Sequence, residues 1–164
     1  MKKILALLIV TILLSSFAGL KKSAGDGFSW IPAGFDTRNS TLLVQNMTGP
    51  GNERAQKIWN KITADMKYDI TGAYTYSYEF ASKAEIDSSP KYADKEKYRY
   101  VLVNVYTYTQ TISVGVNTGR SGTTFHIYDR AKNIHYGDAE RGQSEVLPAF
   151  HYAITHISTY LEGL

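Results

Sequence analysis

Cysteine is absent from all 164 residues. The chain therefore makes no disulfide, and the lipid anchor that bacterial envelope proteins attach to an amino-terminal cysteine is excluded. Any folded domain must be held by its core alone. A surplus of charge is missing as well. The formal charge is +3, and it falls to +1 once Lys2 and Lys3, which belong to the amino-terminal segment described next, are set aside. Basic residues form no stripe: Lys91, Lys95, Lys97 and Arg99 are interleaved with Asp94 and Glu96, so nucleic acid is not an expected partner. Internal repeats and a second domain are absent too.

Long apolar stretches are limited to one place. Lys2 and Lys3 precede the largely apolar run Ile4 to Leu14, and the small-residue tail Ser15-Ser16-Phe17-Ala18 follows. The run is shorter than the roughly 20 residues of a membrane-spanning helix, and Ser16 and Ala18 supply the small side chains that signal peptidase favours. The pattern predicts a signal peptide over residues 1–18, cleaved after Ala18, and a periplasmic or secreted protein whose membrane contact is confined to that segment. Residues 19–38 follow as an extended arm, anchored by Phe28, Trp30, Ile31 and Phe35, and residues 39–164 form a single domain.

What the domain contains is periodic hydrophobicity. Ser40 to Gln45 is short, apolar and partly β-branched, as a buried strand requires. After the break at Gly49-Pro50-Gly51, Asn52 is placed to cap a helix with apolar positions Ala55, Ile58, Trp59, Ile62 and Met66. From Ala73 to Phe80 the period changes to two, with Tyr74, Tyr76, Tyr78 and Phe80 on one side. Ala81 to Lys97 reads as a long polar surface loop, and 98–116 as a strand with a bend near 109–111. Asn117 to Gly122 reads as a turn. Thr123–Tyr128 and Asn133–Ala139 read as a hairpin across Asp129-Arg130-Ala131-Lys132. A last helix begins at Pro148 with the stripe Phe150, Ala153, Ile154, Ile157 and Leu161. The expected fold is α+β: a mainly antiparallel sheet of about five strands with two helices on one face, in the order β-α-β-β-β-β-α.

Tyrosine is the most distinctive residue type, at 13 positions. Tyr74 and Tyr76 on one strand, Tyr98 and Tyr100 on another, and Tyr92 and Lys95 in the adjoining loop are candidate contacts for a protein or glycan, if their rings share an open face. Cross-strand aromatic pairing beneath the helices is the competing explanation. His126 and His135 face each other if Tyr128 pairs with Asn133. With Asp129 or Asp138 as orienting carboxylate they make a candidate acid–base group. A third protein ligand of the kind catalytic zinc needs is not visible beside them, so no metal is expected. His151 and His156 lie about 140° apart around their helix and cannot converge. Gly119-Arg120-Ser121-Gly122 lacks the strand-to-helix turn of a serine hydrolase, and Gly49-Pro50-Gly51 lacks the lysine of a P-loop. No cofactor is expected.

The export segment, the strand at Thr41 to Val44, the helix at Arg54 to Met66, and the segments Tyr98-Arg99-Tyr100-Val101-Leu102 and Tyr128-Asp129-Arg130 resemble small uncharacterised exported proteins of Gram-negative bacteria. In element order, residues 40–162 are similar to periplasmic α/β accessory domains such as the amino-terminal domain of the Tol translocation protein and the outer-membrane activators of penicillin-binding proteins. Those activators carry a lipidated cysteine that this chain lacks. The resemblance implies an accessory role in the envelope and transfers no functional residue. The expected function is non-catalytic recognition of an envelope protein or glycan. A small hydrolase using His126 or His135, and a self-associating structural component of the envelope, are the alternatives. Intact mass of protein recovered from an expressing bacterium is expected to correspond to a chain starting at Gly19; a mass retaining Met1 to Ala18 would contradict the cleavage.

Overall fold

The computed structural model describes residues 30–49, 51–113, 116–138 and 145–164. The segment read as a signal peptide, and the arm as far as residue 29, lie outside the described residues. The elements are β1 (Leu42–Gln45), α1 (Glu53–Ala73), β2 (Tyr78–Ala81), α2 (Lys83–Ser88), a 3-10 turn (Pro90–Tyr92), β3 (Tyr100–Ser113), β4 (Val116–Asp129), β5 (Ile134–Asp138) and α3 (Val146–Glu162). The α+β class and the five strands agree with the sequence pattern. The sheet, in the order β2-β1-β3-β4-β5, is mixed: β1 runs parallel to both β2 and β3, whereas β3, β4 and β5 form an antiparallel meander. Parallel neighbours follow from connectivity, because α1 carries the chain from one end of β1 back to the start of β2.

All four residues of β1 are buried. Leu42 and Val44 enter the main core beneath α1 and α3, whereas Leu43 enters a smaller cluster on the opposite face with Ala81, Ile86, Tyr92, Tyr98 and Val101. A central strand with both faces covered reads as a continuous apolar run, which is why this segment shows no alternation.

Asn52 caps α1, its side-chain oxygen accepting from the amides of Arg54 and Ala55. The buried face of α1 is Trp59, Thr63, Met66 and Ile70, and it continues to Ala73, so the alternating tyrosine segment begins later than its pattern indicated. Ile58 is turned to solvent at 54% exposure. The stripe on α3 is as expected, with Phe150, Ala153, Ile154, Ile157 and Leu161 all buried. Phe150 meets Phe125 and Phe80 at ring-centroid distances of 5.5 and 6.4 Å, joining helix to sheet.

Residues 30–38 close one end of this core. Trp30, Ile31 and Phe35 are buried, the Thr37 hydroxyl bonds the Tyr74 hydroxyl at 2.6 Å, and Tyr100 donates to the Gly34 carbonyl at 3.3 Å. The turn from Pro32 to Phe35 is closed by a backbone bond of 2.9 Å and places Gly34 at φ 78°, a conformation that favours glycine.

Three local expectations are corrected. The segment 81–97 is not an open loop: Ser82 and Glu85 form a reciprocal capping box that starts α2, Ser89 and Pro90 start the 3-10 turn, and Ile86 and Tyr92 are buried beneath them. Asn117 to Gly122 is not a turn but part of β4, since β3 and β4 pair without a break from Tyr100↔Asp129 to Ser113↔Val116. The β4–β5 register is shifted by two residues, with Tyr128 opposite His135 in place of Asn133 and Asp129 opposite Ile134; a bulge then places Asp138 opposite His126. Asn133, at φ 57°, supplies the left-handed residue of the four-residue connection 130–133.

Replacing Phe150 by alanine is expected to lower stability by about 3–5 kcal/mol in urea denaturation, while Ile58→Ala is expected to stay within about 0.5 kcal/mol. Equal effects at the two positions would contradict the packing described.

Candidate functional site

The residues singled out as partner contacts do not share a surface. Tyr74 and Tyr100 are buried in the main core, and the half-buried Tyr76 packs against it. Tyr92 and Tyr98 are buried in the cluster on the other face. The split arises because Tyr98 precedes β3, in a turn closed by its amide bonding to Asp94, so it does not keep the strand parity of Tyr100. Of the six, Lys95 alone is exposed.

The hydroxyls of Tyr74, Tyr92, Tyr98 and Tyr100 are occupied within the protein. Tyr92 and Tyr98 donate to Glu79 at 3.2 and 3.4 Å. The Lys91 ammonium holds the Glu79 carboxyl below its usual range against the opposing effect of burial, and both tyrosine hydroxyls add to the depression. Burial pushes the Tyr74 hydroxyl up to about 12, the Thr37 bond opposing it. These rings are structural: edge-to-face contacts run Tyr74–Tyr76, Tyr74–Tyr78 and Tyr92–Tyr98 at 5.6, 6.1 and 5.1 Å.

His126 and His135 do meet. Their rings hydrogen-bond Nε2 to Nδ1 at 2.7 Å, and Tyr128 stacks on His135 at 4.4 Å with 17° between planes. Asp129 is not their orienting carboxylate. It is buried and receives Arg99 through both carboxylate oxygens at 2.9–3.2 Å and the amides of Ala131 and Lys132 at 3.0 and 3.2 Å. Burial raises its carboxyl, but the Arg99 bonds and those amides outweigh it and leave the group below the ordinary aspartate value. Asp138 is the register partner of His126. The depression beside His135, floored by Val101 and Val103 and flanked by Lys83 and Asp87 of α2, measures about 160 Å³. That is smaller than the roughly 300 Å³ at which ligand pockets begin. Among the described residues, no group of three or more His, Cys, Asp or Glu is arranged to hold a metal ion, and no helix is long and apolar enough to cross a membrane.

A larger concavity lies elsewhere, on the outer side of the helix layer. α1 contributes Asp65, Tyr68 and Asp69, at i, i+3 and i+4; α3 contributes Pro148, His151, Tyr152, Thr155 and His156 at the same spacing. The groove between them holds about 750 Å³, within the range of ligand sites. It arises because the core stripes of both helices face the sheet, so the adjoining faces converge beside each other. His151 Nδ1 lies 3.0 Å from Asp69 Oδ1, bridging the helices across the groove. Tyr68 stands 84% exposed at its edge, and the Tyr152 and His156 rings meet at 3.9 Å. Lys61 and Asp65 pair at 3.1 Å along α1.

Sequence reasoning set His151 and His156 aside because they cannot converge on each other. The missing partner, Asp69, lies 82 residues away in the chain. The polar i, i+3, i+4 pattern beside each apolar stripe was the available signal. The chain matches no protein-family model and no curated protein.

The Asp129–Arg99 pair has a pH signature. Because the folded-state carboxyl lies below its unfolded value, its contribution is present above about pH 4 and is lost as pH falls through the folded-state value. Asp129→Asn is expected to be less stable at pH 7, by about 1–3 kcal/mol, and to lose less stability than wild type on acidification. Parallel acid profiles for the two proteins would contradict this.

Proposed function

We propose that this protein is an exported envelope accessory domain that recognises a glycan in the groove between α1 and α3. The observation that carries the proposal is the combination, in one 750 Å³ groove, of the exposed Tyr68 ring, the Tyr152 ring and the Asp69–His151 pair. Sugar rings present apolar faces that stack on aromatic side chains and hydroxyl rims that bond carboxylate, imidazole and hydroxyl groups, and Asp65, Asp69, His151 and Thr155 supply those partners. Neither lysine nor arginine lines the groove, and two aspartates do, which disfavours polyanionic ligands. Export is supported by the amino-terminal pattern of Lys2-Lys3, the apolar run and Ser16/Ala18. The similarity in element order to small periplasmic accessory domains is consistent with a role that needs no catalysis.

Self-association is a second reading, favoured by one feature. β1 pairs with β3 only at Val101 and Leu102, and β5 spans five residues against fourteen in β4. Among the described pairings, the distal parts of β3 and β4 therefore have only each other as neighbours, and such edges can accept another strand.

Titration of isotope-labelled protein with uncharged and N-acetylated oligosaccharides, followed by amide chemical shifts, tests the groove. Perturbations are expected at 65–69 and 147–156, with Tyr68→Ala weakening binding about 3- to 10-fold, the worth of an exposed aromatic contact. Perturbations confined to the sheet, or none at millimolar sugar, would reject the glycan reading. Light scattering across a hundredfold concentration range distinguishes the edge-strand reading by a rise in mass.

A further inference from the structure

The groove between α1 and α3 does not end at Leu147. That residue also lines a second concavity of about 360 Å³, towards the amino-terminal halves of both helices and itself within the range of ligand sites. Along α1 the two concavities are lined by one stripe, Ile58, Ile62, Asp65 and Asp69, at i, i+4, i+7 and i+11. That spacing keeps to one side of a helix over a rise of about 16 Å, so the two are consecutive parts of one trough.

The two parts differ in chemistry. The first carries Asp65, Asp69, His151 and Thr155 beside the Tyr68 and Tyr152 rings. The second is apolar: Trp59 and Tyr106 meet edge-to-face at 5.0 Å, and Ile62, Val146 and Leu147 line it with them. Ile58 completes that lining with 54% of its surface open to water. Of the five exposed large apolar residues among those described, two, Ile58 and Tyr68, stand on this trough, one in each part. Ser121 and Glu145 are the polar residues of the second part. Neither part is lined by lysine or arginine, whereas Asp65, Asp69 and Glu145 bring carboxylates to the two. A fatty acid or a phosphorylated lipid would set its own negative charge against them. The occupant that matches both parts joins an uncharged polar head to an apolar chain.

Resting on the glycan reading of the polar part, we infer that the ligand is a glycolipid, its uncharged sugar held among Asp65, Asp69 and His151 and its acyl or alkyl chain laid past Leu147 along Ile62 and Ile58. A longer oligosaccharide fits the second part poorly, because its hydroxyls would lose water against Ile58, Val146 and Leu147, whose side chains return no hydrogen bond. A hydrocarbon chain has the opposite balance there. Each methylene removed from water is worth about fourfold in affinity, so a short chain covered on one side raises binding by about an order of magnitude.

The test is titration of isotope-labelled protein with methyl and octyl β-D-maltoside and with methyl and octyl N-acetyl-β-D-glucosaminide, below the concentrations at which the octyl compounds form micelles. The expected result is an octyl glycoside that binds about tenfold or more tightly than its methyl partner. Both should shift amides at 65–69 and 151–156, and the octyl compound alone should also shift those at 58–62 and 145–147. Ile58→Ala, at a position on which the fold does not depend, should weaken the octyl glycoside about 3- to 10-fold and leave the methyl glycoside unchanged. An octyl glycoside no tighter than the methyl one, with the shifts at 65–69 retained, would overturn the glycolipid inference and leave the glycan reading standing. An octyl chain on tetraethylene glycol that binds as tightly as the octyl glycosides would also overturn it, by showing an apolar site indifferent to sugar. Shifts that never reach 65–69 with any of these glycosides would remove both readings.

Discussion

The burial of β1 on both faces is the constraint on which the rest of the structure depends. Among the described residues, Leu42–Gln45 is the only strand with parallel neighbours on each side, and Leu42, Leu43 and Val44 are fully buried. Each fully buried Leu or Val removes apolar surface worth about 1.5–3 kcal/mol from water. That benefit exists only if both faces of the strand are covered. α1, α3 and residues 30–35 cover one, and α2 with its following 3-10 turn covers the other. A helix layer on one side would have left Leu43 and Val101 exposed, so the short segment 82–92 folds as a lid rather than remaining a loop.

Covering two faces places polar groups where water cannot serve them, and the structure answers with a charged corner. Arg130 is buried and donates to the carbonyls of Tyr98 and Ile86, while Asp129 takes Arg99 and two turn amides. Glu79 does the same for Tyr92 and Tyr98. Buried polar groups of this kind are tolerated when their bonds are complete. Asn104 marks the end of β1 in a similar way, its amide donating to the carbonyls of Gln45 and Asn46 where the strand pairing stops. The consequence is that Tyr74, Tyr92, Tyr98, Tyr100 and Asp129 are committed to the fold. The side chains of the α1–α3 groove and the histidine pair lie outside these networks.

Much of the fold was legible in the chain. Asn52, the spacing of Trp59 and Met66, and the stripe from Phe150 to Leu161 locate both long helices because helical periodicity is a local property. The segment 81–97 was misread because its polar composition hides two anchors, Ile86 and Tyr92, whose burial depends on a sheet face formed by distant strands. The turn placed at Asn117 to Gly122 failed for a related reason. Glycine and asparagine there favour a turn, yet pairing with β3 carries the strand through them. His126 and His135 were brought together correctly although the assumed register was two residues out, because with Tyr128 opposite His135 the two histidines remain diagonal neighbours on one face.

The sequence by itself determined what local chemistry controls: a cysteine-free chain, two amphipathic helices with their apolar faces, and alternating aromatic strands, since period, caps and composition act over a few residues. Tertiary structure alone decided that β1 lies parallel to its neighbours, which tyrosines are core, and that Asp69 and His151 meet across a groove. Those outcomes depend on how two faces of one sheet are covered, a contest among segments far apart in the chain. No pattern within a single segment encodes its result.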